Sequence, residues 1–165
     1  MRLSRLPPPV PESEMTPAAR AVLGFAKAEA QRLNHHYLGT EHLLLGIMRD
    51  AASDVARILA SHADLGSVRT KVSEIVGVGS DASAGELPLT PRASKVLHFA
   101  RREAEMYGER RIAPAHLLLG ILREGEGIAT HVLLELHIDM GTVRAETSRS
   151  LGPPRVRPAD KPPEG

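Results

Sequence analysis

Cysteine and tryptophan are absent from the 165 residues, and only two Phe and two Tyr are present. Without thiols the chain has no disulfide framework and no thiolate metal site, which suits a reducing compartment. With so few aromatics, a packed core has to be assembled from Leu, Ile, Val and Ala. A charge of one sign is missing too: 21 Lys and Arg stand against 20 Asp and Glu, a net of +1. That balance supplies no broad field to gather nucleic acid or an anionic membrane. Apolar runs last only a few residues, far short of the roughly 20 that cross a bilayer. The opening Met1-Arg-Leu-Ser-Arg-Leu runs into Pro7, Pro8 and Pro9 where a secretory leader needs a longer apolar stretch. These absences predict a cytoplasmic protein that engages neither nucleic acid nor membrane.

The patterns of common catalysts are missing as well. No G-x-x-x-x-G-K-[ST] loop exists to cradle a nucleotide phosphate, no G-x-S-x-G elbow to expose a serine, and no H-E-x-x-H pair to hold zinc. Eight histidines are present, but His35, His36 and His42 do not fall at a helical ligand spacing, so no metal site is assigned. His42 and His116 occupy equivalent helix positions, where packing or capping is the simpler role. Glu29 and Glu103 recur on a buried-side helix; duplicated structural ion pairs explain them better than an acid–base pair. The Arg101-Arg102 and Arg110-Arg111 runs are diluted by Glu103, Glu105 and Glu109, and few aromatics are available to stack bases. The sequence therefore predicts a non-enzyme without a cofactor.

What is present is a repeat. Sliding the sequence by 74 residues places Thr16-Pro17 on Thr90-Pro91, Val22-Leu23 on Val96-Leu97, and His42-Leu-Leu-Leu-Gly-Ile47 on His116-Leu-Leu-Leu-Gly-Ile121. Sixteen of the 34 positions from Thr16 to Arg49 are identical to their counterparts, which identifies a duplication. After a one-residue indel, Asp64 to Arg69 matches Asp139 to Arg144. Apolar positions step at helical spacing in both copies, as in Val22, Leu23, Ala26, Ala30 and Leu33. Thr16 and Thr90 can cap helix starts, with Pro17 and Pro91 in the first turn where no donor is needed. Further amphipathic segments at Val55–Ser61, Leu65–Val76, Ile128–His137 and Met140–Leu151 give four helices per copy. The predicted fold is all-α, two tandem pseudo-symmetric four-helix repeats. A Pro-rich N-terminal tail occupies residues 1–12, the domain 13–152 (repeat one 15–77, linker 78–88, repeat two 89–152), and a second Pro-rich tail 153–165. Both tails are expected to be extended and flexible.

Arg32-Leu-Asn-His-His-Tyr-Leu-Gly-Thr-Glu-His-Leu-Leu-Leu-Gly46 resembles the N-terminal domain of ClpC-type unfoldases, the Clp repeat domain. Leu87-Pro-Leu-Thr-Pro-Arg-Ala93 and Arg123-Glu-Gly-Glu-Gly-Ile-Ala129 carry the same resemblance in the second copy, and together the match runs from about Met15 to Leu151. In full-length relatives this domain precedes two ATPase modules and receives substrates and adaptors, so the resemblance implies a stand-alone, non-catalytic protein- or peptide-binding module of Clp-dependent proteolysis. Its implied partners are Clp protease components, adaptors or substrate proteins.

Some members bind phosphoarginine, the carboxylate pairing with guanidinium while a threonine and helix-start amides take the phosphate. Carried onto this chain, the resemblance implies a first-repeat site of Thr16, Glu41 and Thr40. The second is degenerate: Thr90 remains, but Ala115 and Pro114 stand where Glu and Thr would. Plain helix capping by the three threonines is the alternative. Met15 and Leu89 replace aromatics that the family often has before the two Thr-Pro starts, and are candidates for an apolar groove. Because actinobacterial relatives receive cyclic-peptide antibiotics there, the alternative function is sequestration of a small molecule or cyclic peptide.

Overall fold

The computed structural model describes residues 7–155; the outer parts of both Pro-rich tails, residues 1–6 and 156–165, lie outside the described residues. A 3₁₀ turn, Glu12–Glu14, leads into eight helices: α1 Pro17–Arg32, α2 Thr40–Arg49, α3 Asp54–Ala60, α4 Leu65–Val76, α5 Pro91–Met106, α6 Pro114–Glu124, α7 Ile128–Glu135 and α8 Met140–Leu151. Two four-helix units result, as the repeat implies. Among the described residues no helix is long and apolar enough to cross a membrane.

Local chemistry sets the ends. Thr16 Oγ1 accepts from the Ala19 amide and Thr90 Oγ1 from that of Ala93, both at 3.1 Å. Pro17 and Pro91 follow at the first helical position. At the other end, Asn34 with φ 55° and Gly108 with φ 70° turn the chain out of α1 and α5. Helix α7 stops at Glu135, two residues short of the predicted end, because His137 adopts φ 57°.

Helices α2 and α6 form the centre. Leu43–Leu45 and Leu117–Leu119 are fully buried, each worth roughly 1.5–3 kcal/mol over an exposed leucine. Gly46 and Gly120 explain the glycine that follows each leucine triplet. A Cβ on Gly46 would stand 2.6 Å from the Val22 carbonyl oxygen, and one on Gly120 equally near that of Val96. The α1–α2 and α5–α6 crossings are therefore backbone-close. Across each crossing lies a buried carboxylate. Glu29 receives Arg69 at 2.5 and 3.2 Å and Arg32 at 3.1 Å. Glu103 receives Arg123 at 3.7 Å and Arg144 at 3.9 Å. Both carboxylates serve as the structural ion pairs anticipated.

The units are interleaved. Helix α2 packs on α6 and α7, α3 on α6 and α8, and α4 on α7. Two parallel bridges cross between copies, Met15 with Ile112 and Leu38 with Leu89. One feature departs from the expectation of a loose N-terminal tail: Val10 is 8% exposed and belongs to the hydrophobic core. An isolated valine among prolines has no periodicity to announce its burial.

Candidate functional site

The predicted site residues cluster at the starts of α2 and α6, but in crossed pairs. The Thr16 amide donates to the Ile112 carbonyl at 2.9 Å, putting Thr16 beside the loop that enters α6 and Ala115. The Thr90 amide donates to the Leu38 carbonyl at 3.0 Å, putting Thr90 beside the loop that enters α2 and Glu41. A repeat offset identifies equivalent residues but not which copy each one faces. The structure thus groups Glu41 with Thr90 and Ala115 with Thr16, whereas the sequence grouped Glu41 with Thr16.

Thr40 is already engaged. It is the first residue of α2, whose N-cap is Gly39, and its Oγ1 accepts from the Ala129 amide of α7 at 3.1 Å. The N-cap of α7, Gly127, has no side chain, and a Cβ there would press within 2.5 Å of Thr40 Oγ1. Thr40 therefore caps a helix of the other copy. The same helix start receives the Glu124 carboxylate, which accepts from the amides of Glu126 at 3.0 Å and Gly127 at 2.9 Å and pairs with Arg92 at 2.9 Å. Burial alone would raise the Glu124 carboxyl; the two amides and Arg92 outweigh it and hold it below the usual range.

Glu41 is 2% exposed and has no cationic partner among the described residues. Burial holds its carboxyl above the usual range, with its own backbone amide acting in the opposite direction. A Cβ on Gly39 would collide with the Glu41 carboxylate, so the preceding glycine is what lets this side chain fold back over the helix start. The second copy has Ala115 here, also buried.

Beside Glu41 runs a chain of hydrogen bonds that the sequence reading did not find. The Gly39 amide donates to His42 Nδ1 at 2.9 Å, so His42 Nε2 carries the proton and donates to His35 Nδ1 at 2.8 Å. His35 Nε2 in turn donates to the Gly77 carbonyl at 2.9 Å, which ties the α1–α2 loop to the start of the inter-repeat segment. Burial, then neighbouring His35, push the His42 imidazole down to about 3. In the second copy the Ala113 amide donates to His116 Nδ1 at 2.9 Å, but among the described residues no hydrogen bond reaches His116 Nε2. Glu109 stands where the first copy has His35, and that exchange was the available sequence signal. His116 borders an open cavity of about 550 Å³ with Thr16, Arg110, Arg111 and Ala113.

The apolar groove candidates lie elsewhere, between α1 and α5. A cavity of about 410 Å³ is lined by Leu23, Leu38, Leu87, Leu89 and Leu97, together with Val10 and Met15. Met15 is 0% exposed and presents no surface of its own, while Leu89 is half-buried. Leu89 also lines a second cavity of about 940 Å³, with Pro7–Pro9, Pro91 and Phe99. Among the described residues no group of three or more His, Cys, Asp or Glu is placed to hold a metal ion.

Duplicated four-helix units with crossed starts and a leucine-lined groove on their seam define an all-helical double-repeat domain. The Clp repeat (R) N-terminal domain profile matches residues 14–136, and the chain belongs to that family. It is 41% identical over 138 residues to the "ATP-dependent Clp protease ATP-binding subunit ClpA homolog" of Porphyra purpurea, covering 83% of this chain and 17% of that protein. It is 40% identical over 152 residues to the "Chaperone protein ClpC, chloroplastic" of Pisum sativum, covering 92% and 16%. The chain thus spans less than a fifth of the length of these relatives. The N-terminal domain of ClpD from Arabidopsis thaliana superposes with a TM-score of 0.74 at 23% identity, over 86% of this chain and 97% of that one. The Hsp104 N-terminal domain from Candida albicans gives 0.70 at 18%, over 90% and 99%. At these identities the two structures attest the fold alone.

Proposed function

We propose that this chain is a recognition domain for polypeptides in Clp-dependent proteolysis, receiving apolar segments of substrates or adaptors in the groove between α1 and α5. The observation that carries this reading is the groove itself: Leu23, Leu87 and Leu89 are left half-buried on the seam between the copies, where a folded chain would normally cover them. Arg20 and Lys27 on one side and Glu12 and Glu86 on the other give it a polar rim that can orient a bound segment. Such a domain works where a Clp machine works, in a cytoplasm or a plastid stroma. The test is fluorescence anisotropy with a labelled, permanently unfolded polypeptide. Leu89→Asp weakens binding about tenfold with the melting temperature nearly unchanged, in line with loss of one apolar contact. Equal binding by the variant removes the groove from the function. A cyclic peptide that competes with the polypeptide would mark sequestration as a further use of the same groove.

A second reading, recognition of phosphoarginine, is favoured by one observation: Glu41 is a buried carboxylate at a helix start with no cation beside it among the described residues, which a guanidinium would complete. In this arrangement the threonine on hand is Thr90. Calorimetry with an arginine-phosphorylated peptide checks it. Binding that Glu41→Gln abolishes supports the reading, and equal heats from wild type and variant refute it.

A further inference from the structure

We propose that the segment Pro7–Val10 is a strap set between the two apolar cavities that share Leu89, so that a ligand segment long enough to fill both binds only by displacing Val10. The inference rests on the groove reading above and adds its regulation. Residues 7–10 precede the family match, which begins at residue 14, yet Val10 is buried in the core and borders the leucine-lined cavity. The three prolines before it wall the larger cavity on α5. Leu89 lines both cavities, and the strap contributes Pro7–Pro9 to one and Val10 to the other, so the two cavities share Leu89 and the strap as walls.

The attachment has the features of a reversible one. Among the described residues, no backbone hydrogen bond joins Pro7 to Val10 to the rest of the domain, and three of these four residues have no amide to give. Among residues 7–10, Val10 is the one buried side chain, the three prolines being exposed. The base of the strap, in contrast, is fixed. The Glu14 amide donates to the Pro11 carbonyl at 3.0 Å, the Ile112 amide to the Glu14 carbonyl at 2.8 Å, and Arg101 pairs with the Glu14 carboxylate at 2.7 Å. The hinge of Pro7–Val10 is thereby set at Pro11. Consecutive prolines favour the extended polyproline conformation, which makes reseating cheap in entropy. A seated strap reduces apparent affinity in proportion to its occupancy, so unseating it raises that affinity without altering the groove.

The experiment uses the full chain carrying Val10→Asp, with Val10→Ala as a milder variant, and reads two things: methyl NMR shifts of Leu23, Leu89 and Leu97, and a bis-ANS fluorescence titration. The proposal expects the leucine shifts to move in both variants. Bis-ANS affinity should rise about tenfold for Val10→Asp and about threefold for Val10→Ala, as loss of a buried valine contact implies. Unmoved leucine shifts in both variants would show that Val10 does not seat in the groove, and would overturn the strap while leaving the groove reading intact. Shifted leucines without any gain in bis-ANS affinity would overturn the competition, while the groove reading stands or falls by the Leu89→Asp anisotropy test. Should Val10→Asp fail to fold, Val10→Ala alone decides by the same two readouts.

Discussion

In the first copy, His42 Nε2 donates to His35, and His35 Nε2 to the Gly77 carbonyl; in the second, His116 keeps its bond to the backbone amide and, among the described residues, no hydrogen bond reaches its other nitrogen. The helix starts differ in the same sense. Helix α3 is capped by its own Ser53, through the Ala56 amide at 3.1 Å, while the equivalent α7 has Gly127 and borrows Thr40 from the first copy. The carboxylates at the crossings follow suit, Glu29 gripped closely by Arg69 and Glu103 only loosely by Arg144. The duplicated backbone has kept its crossings and exchanged its polar detail, so the first copy is the tighter one at its loops, and it also lends a cap to the second.

The sharpest way to break this comparison is acid. An unfolded histidine titrates near 6.5 and His42 in the fold at about 3. Between those values the unfolded chain binds more protons, so stability rises with pH; the contribution is complete above pH 6.5 and is lost on the way down to 3. The loss is on the order of 4–5 kcal/mol. Urea melts at pH 7 and pH 4 should show most of this slope gone in His42→Gln, and most of it retained in His116→Gln. Next in size, Gly46→Ala and Gly120→Ala each force a Cβ onto a facing carbonyl and should each cost about 2–3 kcal/mol by thermal melting. A marked difference between them would show that the crossings have diverged too. Arg69→Ala exposes a buried carboxylate to partial loss of its partners and should cost about 1–2 kcal/mol, against less than about 0.5 for Arg144→Ala. Smallest is the borrowed cap. Thr40→Ala should cost about 1 kcal/mol, and adding Gly127→Ser, which restores a self-made cap in the space vacated, should recover it; a double-mutant cycle measures the coupling.

Much of the fold was legible because its signals are local. Thr-Pro at two helix starts and an apolar period of 3.6 require no knowledge of distant residues, and the repeat certified each by its twin. The glycine after each leucine triplet was visible but unexplained until Val22 and Val96 were found against it. What stayed hidden is whatever joins residues far apart. The offset of 74 shows that Thr16 and Thr90 are equivalent, and it is silent on the fact that each faces the other copy's loop. Thr40 was read as a ligand or a cap of its own helix; its true acceptor role is toward Ala129, 89 positions along the chain. Glu41 stands out in the sequence by its contrast with Ala115, yet its burial is a property of the folded helix start that no spacing encodes. Val10 was passed over since one valine in a run of prolines makes no pattern.

The crossed bridges of Met15 with Ile112 and Leu38 with Leu89 have a topological consequence. Each copy's leading segment completes the other copy, so neither half is a finished object. A lone half with this layout closes only against a second one, by exchanging N-terminal segments as a swapped homodimer does. The present chain amounts to such a dimer joined into one strand. Its inter-repeat segment acts as a tether between halves already threaded through each other, and a nick there should leave two pieces that stay together and melt as one.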